Sequence, residues 1–257
     1  MSTCISNGRW NDSRSSRTWA LCAFCFANFA TLAEARAEID WSGSLALTSD
    51  YLQQGLSQTR GEPALQGGMR AAFDERWTVG TWASSIDRYA GSDDTLEIDL
   101  YVARAWRIAP EWIASLTATH YFYPGDDRYV SYDYDELTAS LGYRSMLFAT
   151  VAWAPDYTDF SYRGVATDRS ALSYELSAHQ PIVGRWSGTA GVGYRDLSDL
   201  FDERYWYGHA GLILAAKHFT LHLTYTYVDA AARQLFGRER ADIAWSGTVI
   251  WRFGAGD

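Results

Sequence analysis

Beyond residue 37 the chain contains no cysteine, because Cys4, Cys22 and Cys25 all precede it. A thiol nucleophile, a disulfide framework and cysteine metal ligands are therefore excluded from the remainder. The same stretch has no run of about 18 apolar residues, which excludes a transmembrane helix. Proline is scarce, with five in 257 residues; Pro63, Pro110, Pro124 and Pro181 fall at or beside expected connections, and Pro155 is expected to end a strand. Basic charge is scarce too. Setting aside residues 1–37 leaves 18 basic and 29 acidic side chains, a net charge of −11, and such a surface is a poor partner for nucleic acid. There is no linker-like composition shift and no strong repeat, so one domain is expected.

The first 37 residues read as a secretory signal peptide. Arg9, Arg14 and Arg17 precede an apolar stretch from Trp19 to Leu32, which closes on the A-x-A site Ala35-Arg36-Ala37. Glu38 is then the first residue of the folded domain, 38–257. The apolar stretch is too short for a membrane anchor and is broken by Asn28. Cys25 follows Phe24, too bulky for the small residue that lipoprotein processing needs.

What the remaining chain does have is a two-residue hydrophobic rhythm. Ile39, Trp41, Gly43, Leu45 and Leu47 alternate with Asp40, Ser42, Ser44, Ala46 and Thr48, which on a strand puts apolar side chains on one face and polar ones on the other. Twelve such segments are expected, at Ile39–Tyr51, Ala64–Asp74, Trp77–Ile86, Thr95–Trp106, Trp112–Tyr123, Tyr132–Tyr143, Met146–Tyr157, Arg169–Pro181, Arg185–Arg195, Tyr205–Ala215, Phe219–Asp229 and Ala241–Phe253. Most globular strands run about 5 or 6 residues. A tilted strand crossing hydrocarbon needs about 9 to 11. Short turns near 75–76, 107–111, 144–145, 182–184 and 216–218 alternate with long loops at 52–63, 87–94, 124–131, 158–168, 196–204 and 230–240. The fold class predicted is therefore all-β: a single up-and-down antiparallel transmembrane β-barrel of about 12 strands.

Aromatic weight fits that class, since most of the 12 Trp, 17 Tyr and 11 Phe lie beyond residue 37, and rings collect at the two water interfaces of a membrane barrel. The last segment carries Ile243, Trp245, Gly247, Val249, Trp251 and Phe253 on one face. An aromatic C-terminal strand of this kind is what a barrel presents to its assembly machinery, although Gly-Ala-Gly-Asp follows it here. Short turns are periplasmic and long loops extracellular in outer-membrane barrels, so both termini are expected in the periplasm.

Around the first loop the sequence reads SDYLQQGLSQTRGEPALQGG, followed by GTWASSID. These residues resemble the TorF family of outer-membrane porins, whose pattern is SDY-x3-G-x-SQ, PA-x-QGG and G-x-W-x-S. The matching positions are Ser49, Asp50, Tyr51, Gly55, Ser57, Gln58, Pro63, Ala64, Gln66, Gly67, Gly68, Gly80, Trp82 and Ser84. Glu97-Ile98-Asp99 and Pro155-Asp156-Tyr157 extend the likeness along the chain. The family often has Arg before the glycine of its first motif, where this chain has Gln54. The resemblance implies a porin-like barrel in the bacterial outer membrane.

Pleat parity then supplies candidate bore-lining residues: Asp40, Gln66, Arg70, Glu97, Asp99, Glu136, Glu175 and Asp242, joined by Thr117, Thr119, Tyr121, Ser140, His209, His222 and Thr224. A cation facing lipid at the midplane costs about 2 to 4 kcal/mol, so charged positions are expected to point inward. About 8 strands leave a bore filled by side chains and 16 to 18 an open channel. Twelve fits a narrow path for small hydrophilic solutes, which the acids Asp40, Glu97, Asp99, Glu136 and Glu175 would bias toward cations. The alternative is that these acids pair with Arg70 and its neighbours and brace the lumen. A non-conducting scaffold or receptor is a further reading. Loops of about 8 to 12 residues are short for a dedicated binding surface.

The acidic groups Asp93-Asp94, Asp126-Asp127 and Asp196, Asp199, Asp202, Glu203 lack the spacing of a defined cation loop, so a solvated rim is expected and no metal or cofactor. Enzyme motifs are missing from the sequence. Of the five histidines, His120 falls by parity on the outer face near the loop rim, where a lipid hydrolase would work, but no serine with a supporting acid is evident from spacing. The partners expected are outer-membrane lipid, the barrel-assembly machinery and small hydrophilic solutes. A homo-oligomer would bury part of an outer belt that looks no different from a lipid-facing one.

Overall fold

The computed structural model describes residues 39–73, 76–87, 95–124, 132–158 and 169–254. The signal-peptide assignment, Asp93-Asp94, Asp126-Asp127 and the last three residues lie outside them. Twelve antiparallel strands close into one barrel. They are β1 (Asp40–Thr48), β4 (Ala64–Phe73), β5 (Trp77–Ser85), β6 (Leu96–Ala109), β7 (Trp112–Phe122), β8 (Tyr134–Tyr143), β9 (Leu147–Ala154), β10 (Ala171–Val183), β11 (Trp186–Leu197), β12 (Glu203–Ala215), β13 (Phe219–Val228) and β14 (Ala244–Gly254). Each pairs with its sequence neighbour, and β1 pairs with β14 from Ser42↔Gly254 to Thr48↔Thr248. The seam is tied by Thr248 Oγ1 donating to Thr48 Oγ1 at 2.7 Å. Closure leaves no unpaired strand edge, the condition for a sheet solvated by hydrocarbon.

The turn end is economical. Arg144 and Ser145, with φ of 52° and 54°, begin the three-residue link between β8 and β9, and Met146 N–H donates to Tyr143 C=O, closing a tight hairpin turn. The guanidinium of Arg144 is held by Glu111 of the neighbouring turn at 2.7 Å. β6 and β10 run two or three residues further toward this end than the rhythm predicted. Each carries a register shift there, between Arg107 and Ala109 and between Pro181 and Val183, and a bulge absorbs the proline without a missing ladder bond. β9 stops at Ala154, immediately before Pro155.

The loop end is built differently. The first loop holds a small hairpin of β2 (Leu52–Gln53) and β3 (Leu56–Ser57). Two short helices follow later, α1 (Ser198–Phe201) and α2 (Ala230–Phe236). Asp229 starts α2 by accepting the Ala232 N–H, and its other oxygen accepts the Trp206 N–H of β12. Gly237, at φ 75°, stops it.

Alternation sorts the side chains as parity requires. Leu45, Leu47, Leu65, Met69, Leu100, Leu176, Leu212, Leu221 and Val249 point outward and are exposed, whereas Thr48, Gln66, Thr78, Asp99, Thr117, Thr119, Thr138, Ser140, His209, His222, Thr224 and Thr248 are buried inside. Of the ten described tryptophans, eight are exposed on the outer surface, up to 64 % for Trp245. Tyrosine behaves in the opposite way. Tyr121, Tyr123, Tyr134, Tyr157, Tyr205 and Tyr207 are buried in one cluster at the loop end of the bore, with Leu56, Ile86, Leu197, Val228 and Phe236. An outside apolar belt studded with Trp, around a polar inside, is the surface of a barrel that spans a membrane.

Candidate solute path through the barrel

The first loop does not stand out into solvent but folds into the mouth of the bore. Asp50, 7 % exposed, organises it: its Oδ1 accepts Ser57 Oγ at 2.6 Å and Thr59 Oγ1 at 2.9 Å. Ser57 Oγ also accepts the N–H groups of Thr59 and Gly61. Thr59 Oγ1 accepts the Tyr51 N–H, and Gln58 N–H donates to Tyr51 C=O. The loop is then stitched to its surroundings. Ser57 N–H donates to Arg240 C=O, Asp87 N–H donates to Gln58 C=O, and Arg60 bridges Asp87 at 2.7 Å and Glu239 at 3.4 Å. The Asp87 carboxylate beside it holds the Arg60 guanidinium above its ordinary pKa.

Gly55 shows why this loop needs its glycine. Its φ is 82°, and a Cβ there would lie 2.6 Å from Tyr207 Cβ and Val228 Cγ1 on the barrel wall, so both the backbone and the packing exclude a side chain. Tyr205 Oη donates to the neighbouring Gln54 C=O. The motif positions Asp50, Tyr51, Gly55, Ser57 and Gln58 are thus the parts of an inward plug. Ser49 fastens its root, exchanging bonds with Gly247 of β14. Pro63 and Ala64 lead into β4, where Gln66 Nε2 donates to Ser84 Oγ. Gly67 faces outward under Leu45. Gly68 faces inward as the register partner of Trp82.

Beneath the plug lies a cavity of about 150 Å³. Its roof is Tyr51, Leu52, Gln53 and Gln54, and its walls include Gln66, Trp82, Asp99, Tyr121, Glu136, Glu175 and Tyr207 with a ladder of Thr and Ser from β8 to β14. Four of the eight bore candidates, Gln66, Asp99, Glu136 and Glu175, are therefore brought together. Glu175 accepts Tyr207 Oη at 2.9 Å, and Glu136 accepts Thr138 Oγ1.

The other four sit elsewhere. Glu97 is 0 % exposed and does not line the cavity; Tyr51 Oη and Tyr123 Oη donate to its two oxygens at 2.8 and 2.9 Å. It braces plug to wall, as the alternative reading had it, but with tyrosines in place of Arg70. Arg70 lies in the turn-end half, its Nε bonded to Ser42 Oγ at 2.6 Å. Asp40 is exposed at the turn-end rim, and Asp242 precedes β14, exposed, 3.9 Å from Arg233 of α2. Alternation does not reach Asp242, which lies before β14 begins, and Asp40 is the first residue of β1, at the rim where inward facing no longer means burial. Tyr121 was placed inward by parity, but the other buried tyrosines were missed because aromatics were assigned to the interfaces. Their signal was parity, since Tyr205 and Tyr207 share the phase of His209.

His120 lies on the outer face, its Nδ1 2.9 Å from Asp135 Oδ1. The groove that holds them is lined by no serine or cysteine among the described residues. Two acids of the α1 region are engaged: Asp196 accepts from Ser198 and Arg204, and Asp199 from Ser170. The Ser170 N–H holds the Asp199 carboxyl below its usual pKa. Among the described residues no three His, Cys, Asp or Glu side chains gather as a metal site.

A family described as bacterial protein of unknown function (Gcw_chp) matches residues 32–252, and the chain belongs to it. No curated protein matches. Among solved structures, a NanC porin structure aligns at TM-score 0.53 and 9% identity over 83% of this chain and 98% of that one. The KdgM porin aligns at TM-score 0.50 and 7% identity, over 82% and 99%. At those identities the likeness is one of fold: a small porin-like barrel.

Proposed function

We propose that this family member is an outer-membrane channel through which small hydrophilic solutes pass, with the first loop as its constriction and a lean toward cations. The observation that carries the reading is the cavity under the plug. A small barrel that needed only stability would fill its interior with side chains, whereas this one keeps Thr, Ser, Gln and four carboxylates around open space. Low-dielectric walls carrying one sign of charge focus the field on the path. The motif resemblance to TorF porins and the porin-like fold support the same reading. Short turns at one end and loops at the other orient the termini to the periplasm, and the aromatic β14 suits delivery by the assembly machinery into lipid, as one barrel or as a homo-oligomer.

Purified protein in planar bilayers tests this. Discrete conductance steps with cation-leaning reversal potentials are expected, and Asp99→Asn combined with Glu175→Gln should reduce the lean. Silent bilayers would instead support a non-conducting scaffold, a reading favoured by the packed tyrosine cluster that closes the loop end. Release of fatty acid from labelled membranes would point to a hydrolase at His120.

A further inference from the structure

We infer that the chamber beneath the plug is a binding site for a small organic ammonium ion. The inference rests on reading the lumen as a solute path, and adds what that path recognises. Size comes first: a cavity of about 150 Å³ in a protein interior accepts a molecule the size of benzene, which means about six or seven non-hydrogen atoms. Charge comes second. Asp50, Asp99, Glu136 and Glu175 line the chamber, Asp50 already held by Ser57 and Thr59, and no lysine, arginine or histidine does. Arg195, buried in the same half of the bore, lies outside the lining, stacks on Tyr157 at 4.6 Å and offsets part of the Glu136 charge, leaving Asp99 and Glu175 as the acids the proposal turns on.

The third feature separates an organic cation from a metal ion. Trp82, Tyr121 and Tyr207 line the same chamber as the carboxylates, and ring faces attract an ammonium group, whereas a bare metal ion gains most from several converging oxygen ligands. The acids are spread over the first loop, β6, β8 and β10, and do not gather as a metal site among the described residues. A fourth observation comes from the roof. The side-chain oxygen of Gln54 is buried and accepts no hydrogen bond from any described residue, so it offers an acceptor to a hydroxyl or N–H carried by the ligand. A guanidinium at this position would put a cation where this chain has a neutral acceptor.

Choline and its uncharged isostere 3,3-dimethylbutan-1-ol are the probes, measured by titration calorimetry on the full barrel in detergent. Choline should bind saturably at one site per chain, and the isostere at least about tenfold more weakly, the factor that a desolvated charge and its aromatic contacts supply. Glu175→Gln and Asp99→Asn should each weaken choline without changing the heat-dependent gel mobility that reports a folded barrel. Gln54→Arg should abolish choline binding. Equal affinity for the isostere, or saturable choline binding undiminished in Gln54→Arg, overturns the proposal, as does no saturable binding at all. The bilayer recording is separate: silent bilayers with intact choline binding would remove the passage reading and keep the site, whereas conductance without choline binding would do the reverse.

Discussion

The two halves of the bore obey the same alternation and are built for opposite purposes. At the turn end the strands simply continue to their hairpins, and the inward positions carry Arg70, His179, His222 and Arg252 among Ser and Thr, with Arg252 Nη1 donating to Thr220 Oγ1. At the loop end a folded segment enters the lumen, and its contacts reach across the chain: 46 residues from Tyr51 to Glu97, 151 from Gln54 to Tyr205, 179 from Arg60 to Glu239. The turn end is wall. The loop end is wall plus a plug, and it holds the carboxylates and the tyrosine cluster. The barrel therefore separates plain wall from the wall that carries the plug, the chamber carboxylates and the tyrosine cluster.

Breaking the plug is expected to have the largest effect. A chain in which residues 52–60 are replaced by a short Gly-Ser link should show single-channel conductance raised about twofold or more, because the wall of a 12-stranded barrel encloses more space than the plug leaves. Conductance unchanged by that replacement would mean the loop does not limit the path. Next comes the brace. Glu97→Ala removes a buried carboxylate that accepts from both Tyr51 and Tyr123, at a cost of about 3 kcal/mol, readable in denaturant unfolding of the barrel in micelles. Arg70→Ala in the turn-end half should cost less; the reverse order would undo the contrast between the halves.

Gly55→Ala sharpens the comparison on a single methyl group. The left-handed backbone alone costs about 1 to 2 kcal/mol, and the wall contacts with Tyr207 and Val228 add to it. Trypsin cleavage after Arg60 in intact barrels should become faster while cleavage at the turns does not. The smallest effect belongs to the turn end. The Arg144 guanidinium, hydrogen-bonded to Glu111, holds that carboxyl below its usual pKa. Its contribution is complete above the unfolded value near 4.5 and is lost as pH falls through the lower folded value. Glu111→Gln should thus lower thermal stability slightly at neutral pH and match the parent once both are measured in strong acid.

How much of this was readable in the amino-acid sequence follows from how local each feature is. Strand number, strand limits to within a few residues and the facing of Gln66, Asp99, Thr224 and His209 came from a two-residue period, a property of adjacent residues. α2 was missed although Asp229 and Gly237, a capping residue and a stopping glycine, flank AAARQLF in the sequence. The assignment of 230–240 as plain loop overlooked that signal. The plug was not readable, because nothing in SDYLQQGLSQ reveals that Gly55 will meet Tyr207 and Val228. Glu97 illustrates the limit most clearly. Parity placed it inside correctly, and only the arrival of Tyr51 from the first loop decides that it braces instead of lining.

The plug can be tested at one atom. No cysteine exists beyond residue 37, so Gln54→Cys places a lone thiol in the chamber roof, and a bulky membrane-impermeant maleimide applied to intact cells measures its exposure. With the first loop seated in the bore, labelling above the parent background should be negligible, and cutting the loop's internal bonds with Asp50→Ala should raise it to the rate of an open loop cysteine. Full-rate labelling with Asp50 in place would contradict the account.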